Sequence, residues 1–154
     1  AVVDSRITGS GRVVIRDVIV SVAPILYVTG VKWLVERPRP ITSVGSGLLP
    51  GDPSFPSGHT AAAVIVSVMM ILIVRNFARS RFPDGEDDER ANRRRVFLRR
   101  AIIGAVALVV AVACSRLLLG LHYPTDVIIS ATICPLISYA VWCVWNACES
   151  AEEW

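Results

Sequence analysis

Four long apolar blocks decide what this chain can become. They cover residues 13–35, 60–74, 101–121 and 127–144, and charged or Pro/Gly-rich stretches separate them. A helix rises roughly 1.5 Å per residue, so about 20 residues cross a hydrocarbon core about 30 Å thick. In that medium a spanning helix satisfies its backbone hydrogen bonds within itself. The sequence therefore predicts an all-α protein, an integral membrane bundle of four transmembrane helices over about 13–36, 57–78, 97–121 and 125–147. One membrane domain accounts for residues 1–154. An apolar content of 53% and a mean hydropathy of +0.55 agree with that medium.

The charges give orientation more than partners. The net charge is +3, and Lys32 is the only lysine. The arginines sit in short segments beside apolar blocks rather than on one face of a soluble domain, which argues against nucleic-acid binding. Arg6 and Arg12 precede the first block and Arg16 lies at its start, and arginines from Arg75 to Arg100 flank a charged loop expected at about 79–96. By the positive-inside rule these regions and both termini are cytoplasmic. The 36–57 loop and the 122–126 turn then share the extracytoplasmic face of a multi-pass cell-membrane protein. Cys114, Cys134, Cys143 and Cys148 form no C-x-x-C pair and read as small packing residues, not as a metal site or disulfide framework. The polar N-terminus lacks the pattern of a cleavable signal peptide.

Ionisable groups near a bilayer are costly, so they are functional candidates by default. Lys32, Arg39, His59, Arg116, His122 and Asp126 all fall at helix ends expected on the outer face, and they include both histidines of the chain. Lys32, Arg39 and Arg116 make a clamp for a dianionic group, with the guanidinium forks matched to phosphate oxygens. Ser57 reads as the N-cap of the second helix. The N–H groups of Ser57, Gly58 and His59 then form an anion site, which an oxyanion can approach over the bare Gly58. Phosphoryl transfer also needs a nucleophile and a proton for the leaving oxygen. His122 suits the first, with Asp126 accepting from one ring nitrogen, and His59 suits the second. No carboxylate cluster suggests a divalent cation, so the expected reaction uses neither metal nor cofactor. Arg37 reads as a surface or supporting charge outside the clamp, within reach of Glu36, and the 41–56 loop as a functional or disordered segment.

Taken together, Lys32-x6-Arg39-Pro40, Pro56-Ser57-Gly58-His59 and Ser115-Arg116-x5-His122-x3-Asp126 resemble the three-part signature of the type 2 phosphatidic acid phosphatases, also called lipid phosphate phosphatases. A lone Pro-Ser-Gly-His is weak; three parts in order on helix ends at one face are specific. The resemblance implies that Lys32, Arg39 and Arg116 bind phosphate oxygens, helped by Ser57 and Gly58. It implies that His59 protonates the leaving group. His122 would carry a phosphohistidine intermediate with Asp126 holding its ring, and Ser115, Pro40 and Pro56 would support the site. Membrane members often have six spans with the signature on the last four; this chain shows those four, which leaves the lipid entrance and substrate preference open.

The implied partners are a lipid phosphate substrate and membrane lipids, with no oligomeric state legible. Polyprenyl phosphates or diphosphates, phosphatidylglycerol phosphate and phosphatidic acid are the candidate substrates. The Arg-, Ala- and Val-rich, Lys-poor composition points to a GC-rich bacterial genome. That favours a polyprenyl-linked substrate of the cell envelope, decaprenyl-phosphoribose phosphate among them. A non-catalytic lipid-phosphate transporter or scaffold is the competing reading. Vanadate-dependent haloperoxidases, which resemble the family in their anion site, are soluble and much larger.

Overall fold

The computed structural model describes residues 2–40, 51–82 and 88–152. Among these residues the chain forms four helices: α1 Val2–Val35, α2 Gly58–Arg81, α3 Asp88–Leu118 and α4 Pro124–Glu152. Each is long and apolar enough to cross a membrane. The protein is therefore an all-helical, multi-pass membrane protein, as the apolar blocks predict.

Burial identifies the solvent. Leu26, Leu34 and Leu118 are 77%, 84% and 88% exposed, and most apolar side chains of α3 also face outward. Such a surface would associate in water and is at home in lipid. Inside the bundle the contacts are small. Ala61, Ala63, Ala101, Ala105, Cys134 and Ser130 are buried, and Val28 and Val64 complete the central cluster. Lipid offers little hydrophobic drive between helices, so close backbone approach through small residues does the packing. α2 is the hub and touches α1, α3 and α4, whereas α3 packs chiefly on α2.

The helices overrun the expected bounds. α1 starts at Val2 rather than near 13, because a nucleated helix extends cheaply through polar residues. Of the loop expected at 79–96, residues 79–81 belong to α2 and residues 88–96 to α3. Asp88 and Glu89 suit the first turn of α3, and Arg93 Nη2 meets Glu89 Oε1 at 2.5 Å, so this charged segment is helical rather than a loop. The expectations for 41–50 and for Pro83-Asp84-Gly85 lie outside the described residues.

Polar groups pin α1 to α2. Asp17 is buried, accepts from Arg16 Nη2 at 2.8 Å and takes Asn76 Nδ2 on its other oxygen at 2.8 Å. A carboxylate among apolar helices is tolerable only when satisfied in this way.

Candidate active site

Three chain segments converge at one end of the bundle. The first is the exit of α1. Glu36 caps the helix with a φ of 47° and donates its N–H to the Lys32 carbonyl at 3.0 Å. Residues Arg37-Pro38-Arg39-Pro40 then run out without helical structure, since the two prolines bar it. The second segment, residues 51–57, folds back over this exit. Ser54 is fully buried; its N–H donates to the Arg37 carbonyl at 2.8 Å and its hydroxyl to the Pro38 carbonyl at 3.0 Å. Ser57 caps α2 as expected, and its Oγ accepts from Thr60 N and from Thr60 Oγ1.

The third segment is the turn between α3 and α4. Gly120 takes a φ of 64°, its N–H donates to the Leu117 carbonyl, and the Leu121 N–H reaches back to the Arg116 carbonyl. This closure uses a left-handed glycine to end α3 at Leu118 rather than 121, and it aims the chain at His122. Pro124 opens α4, and Asp126, three residues past the Tyr123 cap, accepts the Tyr123 N–H at 2.9 Å.

His122 is 3% exposed. Its Nδ1 lies 2.7 Å from the Ser54 carbonyl oxygen, and since a carbonyl only accepts, Nδ1 carries the proton. Nε2 therefore presents a lone pair, which faces Arg39 Nη1 at 3.3 Å. Burial pushes the imidazole below its ordinary value of 6.5 and the Arg39 charge adds to this, against the opposing Ser54 hydrogen bond and Asp126 charge. Both burial and the Arg39 charge favour the neutral imidazole.

Asp126 faces the same ring nitrogen from farther off. Its Oδ2 stands 3.5 Å from His122 Nδ1, so the main-chain oxygen of Ser54 is the closer orienting partner. Asp126 is fully buried and accepts instead from Arg37 Nη1 at 2.9 Å as well as from Tyr123. Arg37 also donates to Thr125 Oγ1 at 2.7 Å and lies 3.9 Å over the Tyr123 ring. It is a supporting charge, but its partner is Asp126 and not the neighbouring Glu36.

Lys32 and Arg39 both reach Asp52. Lys32 Nζ contacts Asp52 Oδ2 at 2.7 Å and Pro53 O at 2.5 Å. Arg39 Nη2 contacts Asp52 Oδ1 at 2.7 Å, and its Nη1 donates to the Leu121 carbonyl at 3.0 Å. Arg116 Nε donates to Ser115 Oγ at 3.2 Å, and that hydroxyl donates to the Val112 carbonyl at 2.7 Å. His59 sits in the first turn of α2 in the field of Arg116, Arg39, Asp52 and Lys32. Ser57 departs from expectation, because its N–H donates to the Asp126 carbonyl at 3.1 Å and is closed to an anion. A Cβ on Gly58 would lie 3.6 Å from Lys32 Cε, which places this glycine beside the clamp.

A family model, the PAP2 superfamily, matches residues 15–149. The chain belongs to this superfamily. Comparison with curated proteins and with solved structures gave no match. PAP2 members are phosphatases, which makes this protein a phosphoric ester hydrolase whose substrates are lipid phosphates in membranes. Sequence reasoning missed Asp52, Ser54 and the true partner of Arg37 at this PAP2 site. Asp52 had a faint signal, as a lone acid just before the Pro-Ser-Gly-His segment.

Proposed function

We propose that this protein is a metal-independent lipid phosphate phosphatase that works through a phosphohistidine on His122. The observation that carries the reading is the state of that ring: Nδ1–H held by the Ser54 carbonyl, with the Nε2 lone pair 3.3 Å from a clamp cation. Lys32, Arg39 and Arg116 would take the phosphoryl oxygens, with Gly58 leaving its backbone accessible. Their fixed positive charge would stabilise the transition state without reorganisation. His122 Nε2 attacks phosphorus, the bond to the leaving oxygen breaks, and His59 gives that oxygen a proton. Water then attacks the phosphohistidine, His59 takes the water's proton, and the P–N bond breaks to release phosphate. Asp126, Ser57, Ser115, Pro40 and Pro56 would support this arrangement.

A lipid substrate is favoured by the rim. Trp33 and Leu34 beside Lys32, and Leu118 and Leu119 beside Arg116, are 65%, 84%, 88% and 55% exposed. An acyl or prenyl tail would lie on this apolar rim with its phosphate in the clamp. The terminal phosphate of a monoester or diphosphate fits best, with polyprenyl, phosphatidylglycerol phosphate and phosphatidic acid substrates as the panel. The arginine distribution supports a site on the extracytoplasmic face with the termini in the cytoplasm.

The test is phosphate release from that panel in detergent with EDTA present, for wild type and His122→Ala. Turnover that resists EDTA and is lost in the variant is the expected result, together with an acid-labile phosphoryl label on the wild type. Turnover abolished by EDTA would refute the metal-independent step. Binding by both proteins without turnover by either would favour a transporter or scaffold.

A further inference from the structure

The clamp already holds an anion of its own. Asp52 places Oδ2 at 2.7 Å from Lys32 Nζ and Oδ1 at 2.7 Å from Arg39 Nη2. Each carboxylate oxygen thus engages one of the cations assigned above to the phosphate. The Asp52 side chain is 43% exposed, and Gly51 before it has open space around it. Ser54, in contrast, is tied to Arg37, Pro38 and His122. The carboxylate can therefore leave the clamp while the backbone that orients His122 stays in place.

We propose that Asp52 is an internal competitor that sets the affinity threshold of the clamp, and so determines which anionic lipids occupy it. The inference rests on the clamp being the phosphate site. A membrane surrounds such a site with phosphodiester head groups at high local concentration. A tethered carboxylate lowers the apparent affinity of every anion by one factor, the fraction of time the clamp is free. A phosphate monoester, close to a dianion at neutral pH with three terminal oxygens, binds tightly enough to displace it. A diester is a monoanion with two free oxygens, no better equipped than the carboxylate already there, and it falls below occupancy. Burial works against the Asp52 charge, but Lys32 and Arg39 outweigh it and hold the carboxyl below its ordinary value of 3.8, so the competitor is ionised at any working pH.

The experiment is calorimetric titration of the detergent-solubilised protein with inorganic phosphate and, separately, dimethyl phosphate, for wild type, Asp52→Asn and Asp52→Ala. Both anions should bind roughly tenfold tighter to the variants, by the same factor, so that their ratio is unchanged. Phosphatidylglycerol added to the micelles should then obstruct phosphate binding in the variants at levels the wild type ignores. Unchanged or weaker binding would overturn the proposal, since Asp52 would then be positioning Lys32 and Arg39. Tightening for one anion only would also overturn it, as would no phosphate binding by any of the proteins. The Ala variant keeps the test valid if Asn disturbs the fold. Tighter binding in a protein that hydrolyses no lipid phosphate would uphold this inference and sink the enzyme reading; unaltered affinity in an active phosphatase would do the reverse.

Discussion

Arg37→Ala tests the link between the α1 exit and the turn that carries His122. In the folded protein the Arg37 guanidinium donates to Asp126 Oδ1 at 2.9 Å and Thr125 Oγ1 at 2.7 Å, and covers Tyr123 at 3.9 Å. Its removal leaves a fully buried carboxylate with the Tyr123 N–H as its remaining close donor. Breaking a buried pair costs about 3–5 kcal/mol. The Arg37 side chain is 35% exposed, however, so water can reach the vacated position, and the expected loss falls to about 1–2 kcal/mol. For a chain of this length that is a fall of about 2–8 °C in Tm, readable by thermal unfolding in detergent. A second effect separates positioning from bulk stability. Without Arg37, Asp126 turns its charge on His122 Nδ1, now 3.5 Å away, and the imidazolium gains stability. The acid limb of kcat/KM should therefore move to higher pH in Arg37→Ala, while Arg37→Lys restores most of the Tm. An unmoved acid limb together with an unchanged Tm would refute the reasoning that Arg37 acts through Asp126.

Burial and the Arg39 charge lower the His122 pKa, and the attacking form is the neutral one. The acid limb of wild-type kcat/KM, set by His122, should thus have its midpoint below the ordinary imidazole value of 6.5, and a midpoint above it would contradict the assignment. His59→Ala should cost about 10²–10⁴ in turnover on alkyl lipid phosphates. It should cost far less on an aryl phosphate whose leaving oxygen needs no proton, and an equal loss on both would remove His59 as general acid. Gly120→Ala puts a Cβ on a φ of 64°, so Tm should drop by the equivalent of about 1 kcal/mol, with kcat reduced as the turn shifts His122 against Arg116. An unchanged Tm would mean that the turn readily takes another closure.

The architecture was legible because lipid imposes it. Four apolar blocks in a medium without water admit few folds, and helix ends gather the ionisable residues. Helix limits were less legible. Arginine-rich stretches read as loops, yet ion pairs such as Glu89–Arg93 and a favourable first turn carry α3 out to Asp88. Among the candidate site residues, those with distinctive side-chain chemistry could be named from the sequence: the histidines, the cations and the capping serine. Residues that act by where the chain returns were not. Asp52 lies 20 residues from Lys32 and 13 from Arg39 in sequence, and only the folded loop brings their charges together. Arg37 is adjacent to Glu36, but the left-handed turn at Glu36 sends the arginine toward Asp126. Charge counting along a chain favours neighbours and has no access to that turn.

The acceptor that fixes the His122 tautomer is a peptide oxygen. Substituting Ser54 by alanine would remove the hydroxyl that contacts Pro38 and leave that oxygen in place. A mutational scan would score the position as tolerant, and a profile built from permitted residues would show little preference there. Its contribution could be isolated only by editing the main chain, for example by semisynthesis with a backbone thioamide at Ser54, which weakens the acceptor while keeping the side chain.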